Sequence, residues 1–199
     1  KCELHLGKRL AVGKAAGPMA EEVEALWGDD IRGMVVAPHG TVASLKSLEW
    51  RSAAHPFPDA QGAASASALL RAITAVPPGA DVLFLLSGGA SSLLLATEEG
   101  PKPEVLQRAT KAVRNGGADI HQLNTVRRVL SPLLGGGAAA ACAGNLQTLA
   151  ISDVVGDDPI AIGSGPTVAN PTGAAEASAL LQRYGGGSPD ILAWIDQQK

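Results

Sequence analysis

The sequence predicts an α/β layer fold, a mostly parallel sheet flanked by helices on both faces, formed by a single domain. Three observations carry this expectation. Short apolar runs alternate along the chain with stretches of helical periodicity, the pattern of strands joined by helical crossovers. Several of these runs are apolar on both faces, as buried parallel strands are. Aromatic residues are only 3% of the 199 residues while 46% are hydrophobic, so small and aliphatic side chains must fill the core. A chain of this length buries most of its apolar surface as one domain, and no linker divides it.

Residues 9–13 (RLAVG) read as the first strand and 17–27 (GPMAEEVEALW) as a helix. Met19, Val23, Leu26 and Trp27 recur there at helical spacing, and Pro18 sits in the first turn, where its missing N–H is harmless. Residues 33–37 and 48–53 are the next strands, followed by the turn-rich 55–62 (HPFPDAQG). An Ala/Leu/Ile-rich helix over 61–75 ends at Pro77-Pro78-Gly79. Residues 81–86 (DVLFLL) are a continuous apolar strand running straight into Ser87-Gly88-Gly89-Ala90-Ser91-Ser92. A helix over 103–115 stops at Gly116-Gly117. Asp119 and Gln122 form a capping-box pattern for a helix over 120–130. After Gly135-Gly136-Gly137 and an Ala-rich turn, residues 147–152 (QTLAIS) make another strand. A long loop of Gly, Asp, Ser and Pro fills 153–170, and helices over 174–184 and 189–197 close the chain. The alternation is Rossmann-like.

Charge and composition exclude several partners. Sixteen basic against nineteen acidic residues leave a net charge of −3, with no basic run and no cluster of stacking aromatics, which argues against nucleic acid. The longest purely apolar stretch, 82–86, is far too short to cross a bilayer, and the N-terminus has no signal-peptide profile. Cys2 and Cys142 offer neither a disulfide framework nor metal spacing, and His5, His39 and His121 make no ligand spacing with each other. A reduced, cytoplasmic setting is expected. The chain starts at Lys1 without an initiator Met, which reads as a processed or excised piece.

In doubly wound folds, ligands bind beyond the carboxyl ends of the strands. Three loops there have suitable chemistry. Gly13-Lys14-Ala15-Ala16-Gly17 offers close backbone approach and one mobile cation, without Walker A spacing; a tight turn with an exposed lysine is the plainer alternative. Ser87, Gly88, Gly89, Ser91 and Ser92 offer amides and hydroxyls to a phosphate or carboxylate, or form a turn with a helix cap. The last glycine of G-x-S-x-G is missing and no acid–base partner is visible, which rules out serine hydrolysis. In the third loop Asp153 directly follows a strand, with Asp157 and Asp158 close behind and Gly163-Ser164-Gly165 further on. Such carboxylates suit Mg²⁺, which takes one or two of them plus substrate phosphates, although caps and turns also use Asp. Asn124 and Arg127, at i and i+3, share a helix face that can grip a carboxylate and a hydroxyl. His55 reads as a structural hydrogen-bonder rather than a base.

Five stretches together resemble one family, the glycerate 2-kinases, in their large N-terminal domain: 12–20 (VGKAAGPMA), 55–62 (HPFPDAQG), 86–94 (LSGGASSLL), 117–131 (GADIHQLNTVRRVLS) and 152–168 (SDVVGDDPIAIGSGPTV). The resemblance implies ATP-dependent phosphorylation of D-glycerate at its 2-hydroxyl, with Mg²⁺, giving 2-phosphoglycerate. It implies that Lys14 stabilises the transferring phosphoryl group and that the 87–92 loop holds substrate or phosphate oxygens. Asn124 and Arg127 would orient the hydroxy acid; Asp153 would hold Mg²⁺ or take the hydroxyl proton, with Asp157 as a further metal ligand. Members also bear the name hydroxypyruvate reductase, yet no nicotinamide fingerprint G-x-G-x-x-G occurs here. Two departures stand out. Leu134 occupies the position of a lysine usual in the family, which is expected to weaken catalysis. Members are also roughly twice this length, so the chain reads as an N-terminal domain over 1–199 truncated at both ends, its second domain absent or supplied by a partner or another copy. The alternative is an anion-binding module without turnover.

Overall fold

The computed structural model describes residues 7–197; Cys2 and His5 lie outside them. Five strands form one sheet: β1 (Lys8–Val12), β2 (Arg32–Pro38), β3 (Glu49–Ala53), β4 (Asp81–Ser87) and β5 (Asn145–Ile151). Their order is β3-β2-β1-β4-β5 and every pairing is parallel. The order reverses between β1 and β4, so that a crevice opens where their carboxyl ends diverge.

Helix α1 (Ala16–Trp27) covers one face of the sheet, packing Ala16, Ala20 and Val23 against Ala11, Val35, Ala37 and Leu85. The opposite face packs Leu10, Val12, Val36, Phe84 and Leu86 under the other long helices. These are α2 (Ala60–Thr74), α4 (Pro103–Asn115), α5 (Ile120–Leu130), α7 (Ala174–Arg183) and α8 (Pro189–Gln197). Short helices α3 (Ala90–Leu93) and α6 (Gly137–Ala140) stand at the glycine turns, and a 3-10 turn, Ile162–Ser164, lies inside the loop after β5. Phe84 is fully buried, one of few large rings in a core otherwise built from Leu, Ile, Val and Ala.

The predicted elements form within two residues of their expected limits, with two differences. Leu26 is 75% exposed and Trp27 43%, because the buried stripe of α1 runs through Ala16, Ala20, Val23 and Glu24. Trp27 instead carries the Arg9 guanidinium 5.4 Å above its ring. The second difference is β5, which is exposed along much of its length. Leu149 and Ile151 share a face with Leu85 and Ser87, but α1 lies over β1, β2 and β4 and does not reach the sheet edge.

Helix starts follow local chemistry. The Asp119 carboxylate accepts from the Gln122 N–H while the Gln122 side chain accepts from the Asp119 N–H, the capping box anticipated for α5. Asp59 caps α2 through Gly62 N–H at 2.7 Å, accepts from Ala54 N–H at 3.2 Å, and meets His39 Nε2 at 2.8 Å. That one carboxylate closes the turn over 54–62, whose Pro58 carbonyl also accepts from Gln107 Nε2 at 2.6 Å.

Glu24 plays the same part on the other face. It is 7% exposed, and its carboxylate accepts from the backbone N–H groups of Lys46, Ser47 and Leu48 at 2.8, 2.9 and 2.8 Å. Burial alone would raise its pKa, but the three donors and the Lys46 charge outweigh it and hold the carboxyl below its usual range. The long connection into β3 is thereby pinned to α1. Glu24→Gln is expected to lower the unfolding free energy by roughly 2–4 kcal/mol at pH 7, measured by urea denaturation. Because the folded-state pKa is depressed, this contribution is present above the unfolded value of about 4.3 and disappears as pH falls through the folded value. Equal stability of the two proteins at pH 7 would remove Glu24 as the anchor.

Candidate active site

The crevice is built first by a tie between two strand ends. Ser87 Oγ donates to the Val12 carbonyl at 3.4 Å and accepts from Ala15 N–H at 3.0 Å, while Lys14 N–H donates to the Gly88 carbonyl at 2.9 Å. Ser87 is 2% exposed and stands outside the cavity wall, so its hydroxyl joins the loops rather than facing a ligand. Gly88 and Gly89, which follow it, form the floor.

Each glycine is required by what lies against it. A Cβ on Gly88 would stand 2.1 Å from Asp153 Oδ2, and one on Gly89 would stand 3.0 Å from His55 Cδ2 and 3.2 Å from Lys14 Cγ. Gly89 also has φ +89°, a left-handed conformation that starts α3. The turn after β4 thus brings together Asp153 from the end of β5, His55 from beyond β3, and Lys14 from the end of β1.

Around this floor lies a cavity of about 500 Å³. Ser91 and Ser92 line it from α3, Asn124 and Arg127 from α5, and Asp153 and Asp158 from the loop after β5. Lys14 stands at its margin, exposed and outside the lining set. Asp157 also lies outside, exposed and with φ 51°, so that Asp158 is the second carboxylate at the wall.

A hydrogen-bonded chain orients the wall. Ser164 Oγ donates to Asn124 Oδ1 at 3.1 Å and meets Ser91 Oγ at 2.9 Å, while Arg127 Nη1 donates to Asn124 Oδ1 at 3.3 Å. Ser164 is fully buried and Asn124 is 3% exposed, so the network is fixed by packing. The Ser92 hydroxyl is committed to the Gly89 carbonyl at 3.0 Å. Arg127 Nε is buried with no hydrogen-bond partner among the described residues. Burial, reinforced by Arg114, lowers the pKa of this guanidinium to about 10, so it remains a cation at neutral pH. A half-buried cation whose buried Nε lacks a partner calls for an anion.

Two members of this site, Ser164 in the third loop and His55 read as a structural hydrogen-bonder, gave no sign of their place at the cavity. Ser164 was visible only as the middle of a G-S-G turn, where its left-handed φ of 62° and its buried hydroxyl leave no signature. His55 sits in a proline-rich turn that looks purely structural. Leu134, by contrast, is 3% exposed, belongs to the main core and lines a separate groove beside Gly135 and Gly136, so its side chain leaves the Arg127 cavity unaltered.

As for a metal, two carboxylates at the wall match the one or two that Mg²⁺ takes beside substrate phosphates, although no group of three His, Cys, Asp or Glu side chains is placed to hold an ion among the described residues. No helix among the described residues is long and apolar enough to cross a membrane.

Comparison with known proteins gives a consistent picture. The chain is 41% identical over 178 residues to a protein of Agrobacterium vitis named putative hydroxypyruvate reductase, covering 88% of this chain and 41% of that protein. It is 38% identical over 175 residues to the glycerate 2-kinase of Pyrococcus horikoshii, covering 88% of this chain and 40% of the relative. The crystal structure of a glycerate kinase from Thermotoga maritima superposes with a TM-score of 0.89 at 34% identity, over 98% of this chain and 48% of that one. The chain therefore spans about two fifths of the length of the curated relatives it matches. The family model that matches, over residues 8–195, is described as a domain of unknown function, and the chain belongs to that family, DUF4147.

Proposed function

We propose that this chain is the acceptor-binding part of an ATP-dependent glycerate 2-kinase, phosphorylating D-glycerate at its 2-hydroxyl to give 2-phosphoglycerate. The observation that carries the reading is Arg127, a half-buried cation whose Nε is buried and unpartnered, in a cavity floored by Gly88 and Gly89. A small hydroxy acid supplies the anion this site lacks. Its carboxylate would accept from Arg127, and its polar groups would meet Asn124, Ser91 and the glycine backbone.

Phosphoryl transfer is mainly positioning and charge neutralisation. Lys14, exposed with its stem over Gly89, would meet the transferring phosphoryl group. Asp153 and Asp158 are the residues that would hold Mg²⁺, which supplies charge neutralisation on the nucleotide phosphates. ATP, Mg²⁺ and a cytoplasmic setting belong to the same proposal. So does the contribution of further polypeptide, whether the remainder of a longer chain or another copy. A second reading, an anion-binding module without turnover, is favoured by Leu134 at the position where the family usually has lysine.

Incubation with D-glycerate, ATP and Mg²⁺ tests these readings. Formation of 2-phosphoglycerate supports the kinase. Binding of D-glycerate without turnover, persisting when the chain is joined to the remainder of a longer protein, supports the module, and NADH oxidation with hydroxypyruvate contradicts both. Arg127→Gln is expected to weaken D-glycerate binding by about 10- to 100-fold in calorimetry, the worth of one charge-assisted hydrogen bond in a buried site. Gly88→Ala pushes the Asp153 carboxylate off the floor by an ångström or more. Turnover is expected to fall by about 100-fold with the fold retained by circular dichroism. Unchanged turnover in Gly88→Ala would take Asp153 out of the mechanism.

A further inference from the structure

The geometry points to His55 as the group that receives the proton of the substrate hydroxyl, its imidazole and the Asp153 carboxylate standing over adjacent glycines of the cavity floor. This inference rests on the kinase reading and adds to it a catalytic residue with a defined task.

Four observations place His55 there. The ring lines the cavity, with Nε2 3.1 Å and Cδ2 3.0 Å from where a Gly89 Cβ would stand. Asp153 occupies the same relation to Gly88. Adjacent Cα atoms are about 3.8 Å apart, so a hydroxyl resting on this floor is within reach of both groups. The turn carrying His55 is clamped at both ends by the Asp59 carboxylate through Ala54 and Gly62, and in the middle by Gln107 on the Pro58 carbonyl. Among the described residues the ring itself takes no hydrogen-bond partner. An imidazole with a bare nitrogen, held in a rigid turn and facing a ligand cavity, is an acceptor in waiting.

Its electrostatic surroundings keep it neutral. Partial desolvation at the cavity lip lowers the imidazolium pKa, Lys14 and Arg127 lower it further, and Asp153 opposes them without prevailing. These three charged groups approach from three elements, the loop after β1, helix α5 and the loop after β5. At neutral pH the ring therefore has a free lone pair. In the transfer, the acceptor oxygen forms its bond to the γ-phosphorus as the bond from that phosphorus to the β-bridging oxygen breaks. The hydroxyl proton passes to the imidazole, and ADP departs with the electron pair. Asp153 is thereby left as a carboxylate able to hold Mg²⁺.

Two measurements decide the inference. In NMR of the chain with ¹⁵N-labelled imidazole rings, D-glycerate should shift the His55 ring resonances, whereas 3-hydroxypropionate, which keeps the carboxylate but lacks the 2-hydroxyl, should leave them in place. D-glycerate that shifts the Gly88 and Gly89 amides but leaves the His55 ring unmoved overturns the inference and spares the site. D-glycerate that shifts neither overturns the reading of the cavity and His55 with it. In turnover, His55→Gln should lower kcat by about 100-fold or more and abolish the acid limb of the pH profile, with KM for D-glycerate changed less. A His55→Gln protein with full turnover and an unchanged acid limb overturns the inference. Where the chain by itself shows no turnover, as the acceptor-binding part of a larger enzyme does, the ring resonances decide His55.

Discussion

The Ser87 hydroxyl, buried between the carboxyl ends of β1 and β4, holds the loops of these two strands together at the point where the sheet order reverses. Parallel strands diverge there and open a crevice, and the exposed ends of two loops would otherwise be free to separate. The hydroxyl closes that gap by accepting from Ala15 N–H and donating to the Val12 carbonyl, with the Lys14–Gly88 backbone bond beside it. Everything at the site is referenced to this tie. Gly88 and Gly89 emerge from it as a floor without side chains, and Asp153, His55 and Lys14 come to rest on them.

The second constraint is electrostatic. Arg127 is held in the wall by Asn124, and Asn124 by the fully buried Ser164, which orients the half-buried guanidinium. Its charged neighbour is another cation, Arg114, and one of its donors has no acceptor. Such an arrangement costs stability in the absence of a ligand and returns it when an anion binds, which is how a rigid site gains affinity for a small acid. The carboxylates Asp153 and Asp158 add the opposite charge from the loop after β5, so the cavity has a cationic wall and an anionic wall. A substrate with a carboxylate at one end and a metal-bound phosphate approaching the other fits that polarity.

Much of the fold was legible in the residues themselves. The continuous apolar run at 81–86, the capping pair Asp119 and Gln122, and the glycine stops at 116–117 each specify local structure strongly enough to be read without tertiary context. Leu26 and Leu149 are exposed because the buried stripe of α1 runs through Ala16, Ala20, Val23 and Glu24 and α1 does not reach the sheet edge, which no local pattern encodes. At the site, Arg127, Asn124, Asp153 and the glycine turn were visible as chemistry following strands or sharing a helix face. Ser87 was visible as a hydroxyl but not as a tie, since its role depends on a partner strand 75 residues away. Asp158 replaces Asp157 at the wall because Asp157 adopts a left-handed turn conformation, a choice made by the loop rather than by spacing.

The central claim is that the floor at Gly88–Gly89 and the Arg127 wall together form the seat of a small hydroxy acid. A crystal structure of the chain grown with saturating D-glycerate tests it most directly. The account predicts the ligand carboxylate against Arg127 Nε, with the 2-hydroxyl over the two glycines between His55 and Asp153. D-glycerate bound elsewhere on the molecule, with Arg127 Nε still unpartnered, would contradict it.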